Sequence, residues 1–182
     1  MGKLDGVRVA VLVANGFEEV ELTSPVERLK QEGAEVTIIS TEKKEEGVKS
    51  WKDGAFNETF TIDRSVEKAS ESDYDALVLP GGVINPDRLR GDSDAIAFIR
   101  AVHDAGKPIG AICHGPWTLI DAGVVQGKKM TSYGTLRTDL ENAGAEWVDQ
   151  EVVVDNGLVT SRSPDDLPAF NDKIVEEFAE GR

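Results

Sequence analysis

Apolar and polar positions along the chain fall into two alternating rhythms. Residues 7–14 (VRVAVLVA) form an apolar, β-branched-rich run that ends at Asn15-Gly16, the mark of a strand buried on both faces of a parallel sheet. Residues 17–32 then place apolar side chains at Phe17, Val20, Val26 and Leu29, with charges between, and stop at Gly33. That spacing predicts a helix, which Pro25 should kink or restart. Residues 34–40 (AEVTIIS) predict a second strand and close a first βαβ unit. Residues 41–57 break the pattern: they are polar and charged, with Gly47, Gly54 and a lone Trp51, and read as a loop or irregular hairpin, at a length where loops tend to be functional or mobile.

The alternation then resumes. A short strand is expected over 60–62 and a buried one over 75–80 (DALVLP), closed by Gly81-Gly82. A helix over 93–105 leads to a fourth buried strand over 107–113 (KPIGAIC) and a helix from about 115 to 122. A small strand near 130–133 and a helix over 136–142 follow. Residues 151–155 and 158–161 are joined by Asn156-Gly157, a strong hairpin signal. The last helix is expected over 164–180, with Ser163 as its N-cap and Pro164 in its first turn. Strands alternating with helices predict an α/β fold, a mostly parallel sheet covered on both faces through right-handed crossovers.

Composition narrows this picture. A chain of 182 residues suits one domain, expected over 1–182. No apolar run approaches the roughly 20 residues of a membrane span, and the N-terminus reads as a first strand rather than a signal peptide. One cysteine and two histidines leave no internal disulfide and no structural zinc site, so a cytoplasmic location is expected. A net charge of −14 argues against a nucleic-acid surface that tracks phosphates.

Candidate chemistry gathers where strands end, which is where open α/β sheets bind ligands. Strand one runs into NGFEEVE, strand three into PGG and strand four into CHGP. Cys113 sits where a strand turns into a helix, with Gly115 allowing close packing. Such an elbow projects a nucleophile and, through the helix dipole, lowers a thiol pKa. The alternative is a core cysteine ending a buried strand. His114 adjoins it as general base or imidazolium partner, or else as a capping imidazole; His103 reads as a solvated helix residue. Gly81-Gly82 offers backbone N–H groups that, with that of His114, would stabilise an oxyanion, or forms a plain turn. Glu18 and Glu21 are three apart and share a helical face, whereas Glu19 points elsewhere. A carboxyl here either handles protons beside the thiol or complements a helix dipole. No G-x-G-x-x-G dinucleotide fingerprint is present, and no histidine follows His114 to supply the H-x-E pair of an amidotransferase.

The segments ANGFEEVEL, LVLPGG with NPDRLRGD, GKPIGAICHGPW, KKMTSY and NAGAEWVDQEVVVDNGLVTSRSPDDLPAF resemble the ThiJ/PfpI superfamily, in particular its PfpI-type intracellular proteases and general stress proteins. The resemblance implies a flavodoxin-like three-layer sandwich, like that of class I glutamine amidotransferases, with Cys113 at the elbow and Glu21 against its thiol. It also implies Glu18 as a second acid in the pocket and Tyr133 as a pocket tyrosine. Trp117 stands where many relatives carry glutamine, on the pocket wall. By position Asp87 matches an acid that orients the histidine of a neighbouring subunit, which implies a homo-oligomer, dimer or hexamer.

The activities attached to the superfamily are those of peptidases, glyoxalases and deglycases, all without cofactor and all placing a thiolate on a carbonyl carbon. The expectation is a stress-protective cysteine hydrolase acting on small carbonyls or on peptide and protein substrates. Two other readings stand beside it: a redox-sensing or chaperone-like stress protein whose Cys113 is oxidised, and a flavodoxin-like nucleotide or flavin carrier, for which no phosphate loop is present.

Overall fold

The computed structural model describes residues 1–181. In chain order its strands are β1 (Arg8–Val13), β2 (Phe17–Glu18), β3 (Glu35–Ser40), β4 (Val48–Lys52), β5 (Ala55–Phe60), β6 (Arg64–Ser65), β7 (Ala76–Leu79), β8 (Ile109–Ile112), β9 (Lys129–Met130), β10 (Glu146–Trp147), β11 (Val153–Asp155) and β12 (Leu158–Ser161). The α-helices are α1 (Glu19–Gln31), α2 (Ile84–Arg90), α3 (Ser93–Asp104), α4 (Trp117–Asp121), α5 (Arg137–Asn142) and α6 (Leu167–Glu180).

The main sheet has the order β11-β12-β8-β7-β1-β3-β6. Every pairing in it is parallel except that of the edge strand β11 with β12. Within it β3-β1-β7-β8-β12 is the 2-1-3-4-5 order of a flavodoxin-like sandwich, whose ligand crevice opens where β1 and β7 diverge. The strands read as unbroken apolar runs because both faces are covered. Ala10, Leu12, Leu77, Leu79, Ile109 and Ala111 belong to one buried cluster, shared with α3 and α4. Val9, Val11, Val13, Ala76, Val78 and Ile112 belong to the other, shared with α1 and α6. Gly110 lets α6 approach, since a Cβ there would lie 2.7 Å from Ile174 Cγ2.

Several boundaries differ from the expected ones. Phe17 and Glu18 pair with β4 instead of opening the helix, and α1 runs through Pro25 without a break. Pro25 is the seventh helical residue, past the first four whose N–H groups lack partners, so the helix forgoes one bond, to Glu21 O, and continues. The polar stretch is an ordered hairpin, β4–β5, with a register shift between Lys49 and Trp51. The strand expected over 60–62 is the end of β5 at Phe60. Ser163 makes no side-chain cap; Asp166 organises that corner, taking the Arg162 N–H and guanidinium at 2.9 Å. Helix α2 was not anticipated from its proline-containing sequence, yet Pro86 falls in the first turn, where a missing N–H breaks no helical bond.

Candidate active site

The segments at the carboxyl ends of β1, β7 and β8 meet around one cavity of about 340 Å³. Its lining includes Glu18, Glu21, Gly82, Cys113, His114 and Tyr133, and also Gly16, Trp51, Val83, Ile84 and Pro164.

Cys113 leaves β8 in a left-handed backbone conformation, φ 61°. This conformation costs a non-glycine residue about 1–2 kcal/mol, so the surroundings must hold it. They do so with Cys113 N–H donating to Ser161 O (3.1 Å), Tyr133 N–H donating to Cys113 O (2.9 Å), and Gly115 N–H closing a turn on Ile112 O (2.9 Å). Gly115 must lack a side chain, because a Cβ would lie 2.6 Å from Leu79 O. The sharp turn makes sequence neighbours converge: Cys113 Sγ is 3.2 Å from His114 Nδ1.

Glu21 is fully buried and lies against the thiol. Gly81 N–H donates to its Oε1 at 3.1 Å, while Oε2 is buried without a hydrogen-bond partner. Burial, and next the charge of Glu18, push the carboxyl up to about 8, so it holds its proton at neutral pH. Burial, followed by the charge of Glu21, pushes the Cys113 thiol up, while the Gly82 and His114 N–H groups pull it down. The expected lowering by a helix dipole is therefore overridden; α4 begins only at Trp117 and is 5 residues long. The two groups titrate as a pair. A protonated Glu21 removes the negative charge that opposes ionisation of the thiol, and the pair then needs only one negative charge, on sulfur.

His114 is buried, and desolvation lowers its pKa. Its ring stacks on Tyr133, with centroids 4.6 Å apart and planes at 27°. Trp117 meets it edge-on at 5.2 Å. Among the described residues no carboxylate bonds to His114.

The two expected glycines are not equivalent. The Gly81 N–H is committed to Glu21, and a Cβ on Gly81 would lie 2.6 Å from Glu21 Oε1 and 2.7 Å from Cys113 Cβ. The Gly82 N–H faces the sulfur and the Glu21 carboxyl together. Trp117, expected on the pocket wall, stands behind the imidazole instead: its indole N–H donates to Asp139 Oδ2 at 2.9 Å and Arg90 lies over its ring at 5.3 Å. Asp87 is exposed on α2 and does not reach the cavity of its own chain.

Sequence reasoning missed Asn85, which stitches two strand ends together. Its Oδ1 accepts from Ala14 N–H (2.7 Å), and its Nδ2 donates to Pro80 O (3.1 Å) and Gly81 O (3.0 Å). A polar side chain next to an apolar one at the start of NPDRLR was the only local sign. Trp51 was noticed as a lone aromatic in a polar stretch, and the hairpin brings it to the cavity wall. Among the described residues no group of three or more His, Cys, Asp or Glu is placed to hold a metal ion, and no helix is long and apolar enough to cross a membrane.

An open parallel sheet with a strained cysteine at a strand-to-helix elbow, a buried acid against its sulfur and a histidine beside it defines a cysteine-centred α/β sandwich. A profile of the DJ-1/PfpI family matches residues 7–177, and the chain belongs to that family. It is 47% identical over 165 residues to Protein/nucleic acid deglycase 2 of Escherichia coli (strain K12), covering 90% of this chain and 93% of that one. It is 46% identical over 167 residues to General stress protein 18 of Bacillus subtilis (strain 168), covering 91% and 94%. Among solved structures it is similar to Drosophila melanogaster DJ-1beta, with a TM-score of 0.86 and 32% identity, covering 100% of this chain and 92% of that one.

Proposed function

We propose that the chain is a cofactor-independent cysteine enzyme that acts on reactive carbonyls and their early adducts, in stress protection. The observation that carries this reading is the convergence of Cys113 Sγ, His114 Nδ1 at 3.2 Å and the buried, protonated Glu21 in one cavity of about 340 Å³. That volume suits a three-carbon dicarbonyl or a single modified side chain better than an extended peptide. The names of the Escherichia coli and Bacillus subtilis relatives, a deglycase and a stress protein, support the same reading.

With methylglyoxal, the Cys113 thiolate adds to the aldehyde carbon. The resulting alkoxide, held by the Gly82 and His114 N–H groups, takes the proton of Glu21. The carboxylate or the imidazole then removes the former aldehyde C–H proton and returns a proton to the adjacent carbon, while the hydroxyl on the first carbon gives up its proton and the former ketone oxygen gains one. One carbon is oxidised as its neighbour is reduced, giving a lactoyl thioester on Cys113. Water cleaves it, releasing lactate and restoring the thiol. An amine or thiol adduct enters the same sequence after its carrier leaves with a proton.

The reading includes a cytoplasmic homo-oligomer. Asp87 is exposed without a hydrogen bond or ion pair from its side chain among the described residues, and His114 lacks an orienting carboxylate. A second copy would bring the one to the other. The decisive test is a set of parallel assays of the natural chain and Cys113→Ser on methylglyoxal, a glycated thiol and a fluorogenic peptide. Cys113→Ser is expected to lower kcat/KM on the carbonyl substrates by about a thousandfold or more; survival of turnover on all three would remove Cys113 from the chemistry.

A further inference from the structure

We infer that Asn85 is a positioning residue, which aims the Gly81 and Gly82 N–H groups at the Glu21 carboxyl and the Cys113 sulfur. The inference deepens the proposed cysteine chemistry and rests on it for the roles of Glu21 and Cys113.

Asn85 lies in the first turn of α2 and is fully buried. It does not line the cavity, so its effect on the chemistry has to pass through another group. Its carboxamide is fully engaged: Oδ1 accepts from Ala14 N–H at 2.7 Å, and Nδ2 donates to Pro80 O at 3.1 Å and to Gly81 O at 3.0 Å. These partners also fix which end of the amide is which. Turned over, it would set its NH2 against an N–H and its oxygen against two carbonyl oxygens.

The two carbonyls matter for what lies at the other end of their peptide units. A trans peptide is planar, with its C=O and N–H pointing in opposite directions. In the unit joining Pro80 to Gly81, the oxygen is held by Asn85 and the N–H donates to Glu21 Oε1 at 3.1 Å. In the unit joining Gly81 to Gly82, the oxygen is again held by Asn85, and the N–H faces the sulfur and the Glu21 carboxyl. One NH2 group therefore holds the rear of both peptides whose front ends serve the site. A carbonyl engaged in this way also polarises its own N–H and strengthens it as a donor.

The glycines need such an anchor. Gly82 sits at φ 77°, which glycine accepts about as readily as a negative φ, so its torsion alone does not choose the way the preceding peptide faces. The bond from Glu18 N–H to Gly81 O is longer, at 3.3 Å. Nor can a side chain at either position supply the constraint. A Cβ on Gly81 would lie 2.6 Å from Glu21 Oε1, and one on Gly82 would lie 2.5 Å from Gly16 O.

Asn85→Asp tests this, because it keeps the shape and the acceptor for Ala14 N–H while its carboxylate lacks both donors. The readout is alkylation of Cys113 by iodoacetamide, followed across the pH range by mass spectrometry. The variant is expected to react about tenfold more slowly at neutral pH, with its profile moved upward. A merely structural role predicts the opposite sign: burial is what pushes the thiol up, so a loosened pocket would speed alkylation. Asn85→Leu, uncharged and of similar size, should slow the reaction as well. Unchanged or faster alkylation overturns the inference, and so does an effect confined to the aspartate variant. The natural chain gives a reading that needs no variant. By NMR, the Asn85 Nδ2 hydrogens should exchange with deuterated water far more slowly than those of the exposed Asn142, and equal rates overturn the inference. On methylglyoxal, both variants should lose about a hundredfold in kcat with KM little changed. Alkylation needs no substrate, so a chain whose Cys113 reactivity follows Asn85 but which leaves methylglyoxal untouched would lose the proposed substrate and keep this inference.

Discussion

Of the three described non-glycine residues in the left-handed backbone region, Asn156 and Cys113 are there for opposite reasons. Asn156, at φ 48°, opens the Asn156-Gly157 turn between β11 and β12 and is exposed. Asparagine suits that conformation, and the tight hairpin calls for it. Cys113, at φ 61°, is buried at the end of β8 and has no such affinity for it. Backbone bonds from Cys113 to Ser161 and from Tyr133 to Cys113 hold it there. At Asn156 the local sequence selects the conformation; at Cys113 the rest of the fold imposes it, and the imposed turn is what aims the thiol and imidazole at each other.

The largest expected effect comes from the acid that this imposed turn brings against sulfur. The folded chain keeps the Glu21 proton up to a pKa of about 8, against an ordinary 4.5, so between those values it binds a proton that the unfolded chain releases. Stability should therefore fall as pH rises through that window and level off above it. Glu21→Gln should flatten the slope, by a difference on the order of a few kcal/mol between pH 5 and 8, measured by urea denaturation. A slope that is unchanged in Glu21→Gln would mean that Glu21 is ionised in the fold.

Next in size is Gly81→Ala, whose Cβ would collide with Glu21 Oε1, Cys113 Cβ and Ile112 O at 2.6–2.8 Å. It should destabilise by about 1–3 kcal/mol and lower activity as it shifts the acid. Thermal melts and methylglyoxal assays read both.

The backbone strain itself is sharpened by paired substitutions. If Cys113 carries strain, Cys113→Gly should be more stable than Cys113→Ala by about 1 kcal/mol, since only the glycine accepts φ 61° freely. At the hairpin, Asn156→Gly should sit within a few tenths of a kcal/mol of the natural chain, and Asn156→Ala below it. Equal melting points for the two Cys113 variants would erase the contrast.

Much of the sandwich was legible because strands buried on both faces leave continuous apolar runs, as in residues 7–14 and 75–80. The cavity was legible too, since binding crevices form beyond the carboxyl ends of such strands. What escaped was set by contacts between distant residues. Gly81 and Gly82 look equivalent in the sequence, yet the first N–H serves Glu21 alone, 60 positions away, and the second faces both that carboxyl and the sulfur. Trp117 and Trp51 exchanged their expected standing: α4 turns Trp117 to the back of His114, while pairing with β2 brings Trp51 onto the wall. Asn85 bonds Ala14, 71 positions away, and no local pattern announces that.

By itself the sequence determined the doubly covered parallel sheet, its turns and the neighbourhood of Cys113, because periodicity and turn chemistry are properties of nearby residues. Only the tertiary structure decided that Glu21 is buried and holds its proton and that Trp51 reaches the cavity wall. Desolvation and charge pairing depend on what the rest of the chain packs around each group, and that exists only once the strands have been brought together.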